Sequence, residues 1–389
     1  MKFGDIIQGW YEKNHRQLPW RSTTDPYAIW ISEVILQQTR VDQGEDYYLR
    51  FLREFPGLKA LAEASEQEVL KCWQGLGYYS RARNLHRAAQ EIQASGRDSL
   101  PDTYKKLLLM PGVGPYTAAA IASIAYGEAQ AAVDGNVARV LARLHGVEEA
   151  VNSPAGMRII QQLADSLMEE SAGGEQGSTR ESAARKGQKF SSGAGIHPGL
   201  HNQAMMEFGA LVCLPRSPLC KSCPLQSYCQ AYALDCVGEL PRKRPSRKPL
   251  KRWLYFYVFT HENKVIIKKN GKGIWQSLYT FPVVECEQEQ SETAIYDEIF
   301  LGLLHRIEDS ENSQVNEPLP FERDIRLGEI SESFLHQLSH RTLHARFVRV
   351  ELNPLPFRLE ENYMEIPLAE VERYPLPRLM ERYMKIAKF

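Results

Sequence analysis

The chain has 389 residues, enough for two or three domains, and its 43% hydrophobic and 24% charged content is ordinary for a globular protein. A formal net charge of −1 gives no global basic field, so any contact with nucleic acid must come from local basic surface. Residues 1–17 lack the apolar core of a signal peptide, and the apolar stretch at 118–125 is too short to span a bilayer. We expect a cytoplasmic protein, nucleoid-associated if bacterial, with reduced thiols.

Residues 1–236 are predicted to be helical, and the first informative helix begins at Asp25, which precedes a proline. Aspartate is a favoured N-cap, and proline is a favoured first helical residue. We expect this helix to run through Glu33 toward Gln38, and Thr39 to cap the next helix. Glu33 follows an aromatic residue and a serine on a largely apolar helix. Burial should raise the pKa of its carboxyl and suit it to general acid catalysis.

A glycine-containing turn precedes a predicted helix of small residues at 117–126. Gly112 and Gly114 stand in the sequence Leu-Met-Pro-Gly-Val-Gly-Pro-Tyr-Thr-Ala. A backbone without side chains can approach a phosphate closely, and amides at the start of the next helix can face the anion. An ordinary helix–helix turn is the alternative.

Asp134 begins the sequence Asp-Gly-Asn, which suits a helix N-terminus. We expect backbone amides to hydrogen-bond its carboxylate and hold it ionised. Asn136 is the expected orienting partner. Aspartate is common at helix caps, so the motif alone leaves a purely structural role open.

Four of the seven cysteines, Cys213, Cys220, Cys223 and Cys229, lie within seventeen residues. In a chain without a secretory signal, such a cluster indicates a metal site rather than disulfides. Zinc modules usually have two short Cys-x2-Cys pairs, whereas this chain has one, and four thiolates suit an iron–sulfur cluster at least as well. The spacing does not prove iron, and buried apolar cysteines are the other alternative.

Composition changes three times in the rest of the chain. Residues 173–199 are small and polar, which predicts a mobile insertion. Residues 237–252 are basic and proline-punctuated, which indicates an interdomain linker that is either solvated or in contact with a nucleic-acid backbone. Residues 253–389 contain β-rich runs and predict an α+β domain. The expected elements are strands at 253–260, 264–269, 279–284 and 345–351, and a helix at 293–304.

The cysteine spacing resembles the cluster loop of the helix-hairpin-helix DNA glycosylases. The glycine turn and the sequence Val-Asp-Gly-Asn-Val-x-Arg at 133–139 agree with it. With Trp-x-Ser-Glu-Val-Ile-Leu-Gln-Gln-Thr at 30–39, these motifs are similar to the MutY adenine glycosylases, as distinct from endonuclease III. The resemblance covers most of the chain, and four motifs in the same order make a chance match improbable.

The resemblance implies a multidomain fold, with an all-α helix-hairpin-helix glycosylase region and a MutT/Nudix-like α+β C-terminal domain. A catalytic region at 1–236 would hold a six-helix domain at about 20–126 and an iron–sulfur domain formed by 1–19 and 127–236, with one [4Fe–4S] cluster at the four cysteines. A recognition domain at 253–389 would follow the linker. The implied function is base-excision repair of adenine opposite 8-oxoguanine or guanine, by a monomer that acts on double-stranded DNA and not at a membrane.

The resemblance also implies roles for the candidate catalytic residues. Glu33 would protonate N7 of adenine, and Asp134 would stabilise the cationic sugar as a carboxylate does in glycoside hydrolysis. Tyr116 stands where endonuclease III-like enzymes have a lysine that forms a Schiff base. Because tyrosine cannot form that imine, we expect no efficient strand cutting.

Further residues are implied to contact DNA or the flipped base. Gln38 and Tyr78 resemble wedge residues that enter the duplex, while Gly112 and Gly114 would face phosphate. The expected adenine pocket consists of Arg16, Leu18, Trp20, Arg21 and Glu207, in which Glu207 would accept from the exocyclic amine of adenine.

The C-terminal domain contains Leu338, Ser339 and His340 where the family has a Phe-Ser-His loop that reads 8-oxoguanine. Leucine replaces the aromatic residue, which puts intercalation there in doubt, whereas serine and histidine keep their hydrogen-bonding capacity. Nearby His336 and His344 leave a metal site as an alternative.

Three other functions agree with parts of the sequence. An endonuclease III-like pyrimidine glycosylase with lyase activity is disfavoured by Tyr116 and the long C-terminal domain. A non-catalytic, redox-sensing DNA-binding protein is disfavoured by the joint presence of Glu33 and Asp134. Nucleotide hydrolysis by the C-terminal domain is not expected, because Gly302 and Glu308 fit the first spacing of the Nudix motif but residues 316–318 break the rest.

Overall fold

A computed structural model describes residues 2–172, 196–245, 248–307, 325–352 and 359–387. The chain folds into two compact units, Met1–Glu63 with Asn84–Pro245, and Ala64–Arg83 with Ser246–Phe389. Most of the expected insertion, with Glu308 and residues 316–318, lies outside the described residues.

The described helices range from four to nineteen residues in length. They are α1 (Phe3–Asn14), α2 (Pro26–Leu36), α3 (Val41–Glu54), α4 (Leu58–Glu63), α5 (Glu66–Cys72), α6 (Ser80–Ala94), α7 (Tyr104–Leu107), α8 (Pro115–Tyr126), α9 (Gly135–Leu144), α10 (Pro154–Ala172), α11 (Pro198–Leu211), α12 (Gln230–Ala233), α13 (Glu292–Tyr296), α14 (Glu298–Ile307) and α15 (Arg378–Ala387). Within the described residues, none of them combines the length and the apolar character needed to cross a membrane.

Helix α2 begins as the sequence predicts. The side chain of Asp25 accepts a hydrogen bond from the amide of Tyr27 over 3.1 Å, and proline occupies the first helical position. The helix ends at Leu36. The expected cap at Thr39 is wrong, because α3 has Arg40 as its N-cap residue and the Thr39 hydroxyl donates to the carbonyl of Gln37 instead.

The core of the first unit brings together α1, α9, α10 and α11. Ile7, Leu141, Ile160 and Phe208 are almost fully buried in it. Burial of each such side chain contributes roughly 1.5–3 kcal/mol. This cluster therefore fixes α9 and α11 against each other.

Helix α8 confirms the predicted small-residue helix, and it packs against both α2 and α11. A Cβ atom at Gly199 would lie 2.6 Å from the Cα of Ile124, so the two backbones approach closely only because this residue is glycine. Asn202 of α11 donates to the Ser123 hydroxyl over 2.8 Å. These contacts hold α2, α8 and α11 side by side.

The second unit is built on a mixed sheet. Its strands are β1 (Leu250–His261), β2 (Lys264–Lys269), β3 (Tyr279–Thr280), β4 (Val283–Cys286), β5 (Ile325–Ile330), β6 (Phe334–Gln337), β7 (Arg341–Leu352) and β8 (Tyr363–Pro367). The main order is β3-β2-β1-β7-β5, in which β1 and β7 are parallel, while β4, β6 and β8 pair with β1, β7 and β2. One apolar cluster joins the sheet to α15, and another joins it to α13 and α14.

The strand predictions hold except where local chemistry interrupts them. The expected strand at 279–284 becomes β3 and β4 around Pro282, whose carbonyl accepts from Tyr257 of β1 over 2.9 Å. The expected helix at 293–304 is split into α13 and α14 at Asp297, which has a non-helical backbone. Sequence reasoning missed β5, β6, β8 and α15.

Candidate active site

One cavity of about 590 Å³ in the first unit is lined by all four predicted catalytic residues and by six of the residues predicted to contact DNA or the flipped base. Helices α2, α8 and α11 and the start of α9 contribute side chains to it. The predicted residues that line it are Arg16, Leu18, Trp20, Arg21, Glu33, Gln38, Tyr116, Asp134, Asn136 and Glu207.

Glu33 lies on the buried face of α2, and only 8% of its surface is exposed. Burial raises the pKa of its carboxyl to about 7, and the hydrogen bond with Tyr116 and the charge of Arg21 oppose this while the charge of Asp134 adds to it. A carboxyl with this pKa is substantially protonated near neutral pH. Glu33 can therefore donate a proton inside the cavity.

Asp134 is the N-cap of α9, as the sequence predicts. One carboxylate oxygen accepts from the amides of Asn136 and Val137 over 2.8 and 2.7 Å, and the other accepts from the Asn136 side chain over 2.8 Å. These bonds lower the pKa of Asp134, but burial outweighs them, so the pKa lies above its ordinary value. The backbone amides bond the carboxylate as we expected. They alone would lower the pKa of Asp134, but burial raises it above its ordinary value.

Asn136 is held from its far side by Arg139 of the same helix. The Arg139 guanidinium donates to Asn136 Oδ1 over 2.9 Å, to the carbonyl of Gly209 over 2.8 Å and to the carbonyl of Cys213 over 2.7 Å. A continuous set of hydrogen bonds thus runs from Asp134 to the first residue of the cysteine cluster.

Glu207 of α11 is enclosed by two arginines. Burial would raise its pKa, but hydrogen bonds from Arg21 and Arg16 together lower the pKa to about 2. Five N–H groups from these two residues reach its two oxygens at 2.6–2.9 Å. A carboxylate offers about four lone-pair sites. The expected role of Glu207 as acceptor for the amine of adenine therefore does not fit this structure, in which Glu207 orients the two arginines.

Sequence reasoning missed several polar or polarisable residues of the cavity, among them Gln37, Gln203 and Met206. Gln37 donates to the Thr117 hydroxyl over 3.1 Å, Gln203 accepts from the Tyr11 hydroxyl over 3.0 Å, and Met206 accepts from the Tyr116 hydroxyl over 3.1 Å. Helical periodicity could have found Gln203, which lies four residues before Glu207 and hence on the same face of α11.

The glycine turn joins α7 to α8 outside the cavity. Gly112 has φ +75°, and a Cβ there would lie 2.6 Å from the Cβ of Asn84, so both conformation and space require glycine. Gly114 is the N-cap of α8, and its Cβ position has no heavy atom within 4 Å. This open side leaves room for an anion at the start of a twelve-residue helix.

Both expected wedge residues have a left-handed backbone. Gln38 has φ 60° and Tyr78 has φ 47°, values that are uncommon outside glycine and often mark functional positions. Gln38 lines the cavity. Tyr78 lies in the second unit, and half of its surface is exposed.

The four clustered cysteines line a second, small cavity of the first unit. Arg143 of α9 donates to the Cys213 sulfur over 3.4 Å and to the Leu214 carbonyl over 2.6 Å. Across the described part of the chain, no three His, Cys, Asp or Glu side chains converge closely enough to hold one metal ion. The cysteines share a cavity without forming a mononuclear site.

The expected lesion-reading residues form the turn between β6 and β7 in the second unit. Leu338 is half-buried against the sheet core, and its amide donates to the Arg341 carbonyl over 2.8 Å. Ser339 and His340 are exposed. His344 stacks on Trp253, with ring centroids 5.2 Å apart, and is therefore engaged in packing.

Similarity to known proteins identifies the family. Residues 31–165 match the HhH-GPD superfamily base excision DNA repair protein, and residues 254–385 match the NUDIX domain. The adenine DNA glycosylase of Buchnera aphidicola subsp. Baizongia pistaciae (strain Bp) is 30% identical over 72% of this chain and 73% of its own length. The chain belongs to the adenine DNA glycosylase family.

Other relatives agree with this family. The adenine DNA glycosylase of Buchnera aphidicola subsp. Acyrthosiphon pisum (strain APS) is 28% identical over 98% of this chain and 97% of its own length. That of Mus musculus is 39% identical over 61% of this chain and 43% of its own length. A thermostable thymine-DNA glycosylase structure matches with a TM-score of 0.50 and 27% identity, over 60% of this chain and 95% of its own.

The predicted fold class, a helix-hairpin-helix glycosylase region with a Nudix-like domain, is confirmed. The chain is a DNA glycosylase, an enzyme that hydrolyses N-glycosyl bonds and acts in base-excision repair.

Proposed function

We propose that this adenine DNA glycosylase hydrolyses the N-glycosidic bond of adenine paired with 8-oxoguanine or guanine in double-stranded DNA. The observation that carries the proposal is one cavity that contains a carboxyl with a pKa of about 7, Glu33, and a second carboxyl held by amides, Asp134. Two carboxyl groups with different environments suit the acid and the sugar-facing roles of glycoside hydrolysis. We infer that the released base is adenine because the relatives are named adenine DNA glycosylases.

Adenine would reach the cavity by base flipping, which costs a few kcal/mol. Gln38 and Tyr78 would fill the space that the base leaves in the duplex. Trp20 offers an aromatic surface for stacking, and the arginines that Glu207 orients are available to donate hydrogen bonds to the ring nitrogens.

In the chemical step, Glu33 gives its proton to N7 of adenine and so makes the base a better leaving group. Positive charge develops on the sugar, and Asp134 stabilises it with a carboxylate that Asn136 fixes in orientation. The ionised Glu33 can then accept a proton from the attacking water.

Tyr116 leaves the enzyme without a lysine for strand cutting. Its hydroxyl is buried between Glu33 and Met206, and burial and the neighbouring Glu33 raise its pKa well above the ordinary value. Borohydride should therefore trap no covalent protein–DNA adduct. A trapped adduct in amounts comparable to released base would contradict a monofunctional mechanism.

The two structural units divide the chain near residue 245, except that Ala64–Arg83 belong to the second unit. We propose that residues 1–236 carry catalysis, that 237–252 form a linker and that 253–389 read the lesion, with Ser339 and His340 exposed for hydrogen bonds to 8-oxoguanine. Leu338 is half-buried in the sheet core, which favours anchoring of the turn over intercalation. The enzyme would act as a monomer in the cytoplasm, on nucleoid DNA in a bacterium.

The cysteine cavity fits one [4Fe–4S] cluster better than a single ion, because each thiolate of such a cluster binds a different iron and need not converge on one point. Cys213, Cys220, Cys223 and Cys229 would hold it. When bound, the cluster orders the loop that carries it and performs no step of the hydrolysis. Cys220→Ser should lose bound iron and DNA affinity, and retention of fold and full DNA affinity would contradict this structural role.

The test of the proposed function is adenine release under single-turnover conditions from duplexes that differ only in the base opposite adenine. We expect release opposite 8-oxoguanine and guanine, and little opposite thymine. A folded, iron-loaded enzyme that binds the 8-oxoguanine duplex but releases no adenine would refute the proposal.

A further inference from the structure

The segment Ala64–Arg83, which carries the proposed wedge residue Tyr78, is divided between sequence and structure. It lies within residues 31–165, which match the glycosylase superfamily, yet it packs with Ser246–Phe389 in the second unit. The wedge residue is therefore held in the same unit as the turn between β6 and β7 that is proposed to read the lesion.

The backbone around Tyr78 has an uncommon conformation. Gly75, Gly77 and Tyr78 have φ values of 96°, 73° and 47°. Glycine adopts such values readily, but tyrosine does so at a cost, and such a conformation persists only where its surroundings determine it. Part of this support is local, because the Trp73 indole and the Arg81 guanidinium donate to the carbonyl of Gly77 over 3.2 and 3.1 Å.

Tyr79, which directly follows the wedge residue, joins the segment to the loop before α15. Only 7% of its surface is exposed. Its hydroxyl accepts from the amide of Gly75 over 3.4 Å and donates to the carbonyl of Leu376 over 3.3 Å. Leu376 is itself 1% exposed in the apolar cluster that joins the sheet to α15. One hydroxyl thus ties both ends of residues 75–79 to a buried point of the second unit.

Gln74 makes a second connection to the same point. Its side-chain carbonyl accepts from the amide of Leu376 over 3.4 Å and from the ammonium of Lys71 over 2.9 Å. Its amide nitrogen donates to the carboxylate of Glu381 in α15. A glutamine can make all of these bonds because its side chain carries both an acceptor and a donor. Leu376 is therefore bonded at its amide by Gln74 and at its carbonyl by Tyr79.

We propose that Gln74 and Tyr79 are positioning residues that fix the backbone of Tyr78 against Leu376 and Glu381, so that the second unit sets the place of the wedge. This inference rests on the proposed function, in which Tyr78 enters the duplex. Gln74 and Tyr79 act through the backbone of the segment and need no contact with DNA. A wedge that is ordered in advance loses less conformational entropy when it enters the duplex.

The first test removes the hydroxyl of Tyr79. Tyr79→Phe keeps the ring but loses the bonds to Gly75 and Leu376, so residues 75–79 should open more often and their amides should exchange about fivefold faster, as suits a neutral hydrogen bond. The matched control is Tyr279→Phe, because the Tyr279 hydroxyl donates to Gln67 of α5 over 3.3 Å and does not contact residues 75–79. Amide exchange at 75–79 in this control should equal that of the parent.

The second test changes the partner of Glu381. Gln74→Glu replaces the amide donor by a carboxylate beside the carboxylate of Glu381, and exchange at 75–79 should become about tenfold faster, as suits the loss of a hydrogen bond to a charged group. The double variant Gln74→Glu/Glu381→Gln restores one donor and one acceptor in exchanged positions. It should return exchange at 75–79 to the parent value, a rescue that unspecific damage to the fold would not show.

Hydrogen exchange of the full chain, followed by mass spectrometry of peptides that cover 75–79, measures these effects. Unchanged exchange in both Tyr79→Phe and Gln74→Glu, or no recovery in the double variant, would overturn the proposal.

Fluorescence then connects the segment to the wedge. The probe is 2-aminopurine beside 8-oxoguanine in a duplex with adenine, bound by proteins that carry Asp134→Asn so that no base is released. Because stacking quenches this probe, the Asp134→Asn protein should raise its fluorescence, adding Tyr78→Ala should abolish the rise, and adding Gln74→Glu should reduce it until Glu381→Gln restores it. If Asp134→Asn alone gives no rise, the wedge role in the proposed function is refuted, and the exchange data still decide whether Gln74 and Tyr79 fix the segment.

Discussion

Two glutamates that line the same cavity, Glu33 of α2 and Glu207 of α11, illustrate how surroundings assign a role to a side chain. Both are buried, at 8% and 1% exposure. Glu33 has a hydroxyl and a second carboxyl near it and a pKa of about 7, whereas Glu207 has two guanidinium groups and a pKa of about 2. Burial acts in the same direction on both, so the arginines make the difference.

This difference in pKa gives the two residues different roles: Glu33 is a proton donor, and Glu207 is an ionised carboxylate that anchors two arginines. A carboxyl that keeps its proton near neutral pH can give it to a base, and one that is ionised at every physiological pH can only accept. Glu207 therefore fixes Arg16 and Arg21 in the wall of the cavity, while Glu33 is left free to react.

The largest expected effect is the loss of activity when Glu33 is replaced. Glu33→Gln keeps the shape of the side chain and removes the proton donor, so adenine release at pH 7 should fall by about 100- to 10,000-fold. Single-turnover assays of released adenine measure this. Glu169→Gln, on the exposed side of α10, should match the parent. A loss below tenfold in Glu33→Gln, with normal DNA binding, would remove Glu33 from the role of acid.

The next effect is a loss of stability when Glu207 loses one of its two arginine partners. Arg21 is 13% exposed in its pair with Glu207, and Arg21→Met leaves a buried carboxylate with only Arg16 as partner. We expect the free energy of unfolding at pH 7 to fall by about 3 kcal/mol in urea titrations. Arg87→Met removes an exposed pair with Glu91 and should cost less than about 1 kcal/mol. Equal losses in the two variants would contradict the account of Glu207.

The third effect is a gain in stability, in contrast to the loss expected for Arg21→Met. The folded protein raises the pKa of Glu33 from 4.5 to about 7, so the unfolded chain releases this proton more easily and stability declines as the pH rises between those values. The free energy of unfolding of Glu33→Gln should therefore exceed that of the parent at pH 8, by up to about 3 kcal/mol, and show no such gain at pH 4. A variant no more stable than the parent at pH 8 would show that the pKa is not raised.

Local chemistry determines which parts of the molecule could be predicted from the sequence. The cap at Asp25 and the apolar neighbours of Glu33 are local, and both predictions of structure hold. The division of β3 from β4 at Pro282 is local as well, but a run of β-forming residues concealed it.

Features that depend on distant segments were not predictable in the same way. Glu207 meets Arg16 and Arg21 across more than 180 residues, so the saturation of its oxygens cannot be read from its own helix. The net direction of the Asp134 pKa depends on burial by the surrounding helices, which outweighs the local amides that the sequence indicates. The contact between Met206 and Tyr116 was equally hidden, because nothing near Met206 in sequence shows that Tyr116 lies opposite.

The most direct test of the central claim is the pH dependence of single-turnover adenine release by the parent from an 8-oxoguanine:adenine duplex. If Glu33 supplies the proton, the rate should fall with rising pH about a midpoint near 7, and Glu33→Gln should lose that limb of the profile. A parent rate that stays constant up to pH 9 would contradict the assignment of Glu33 as the acid.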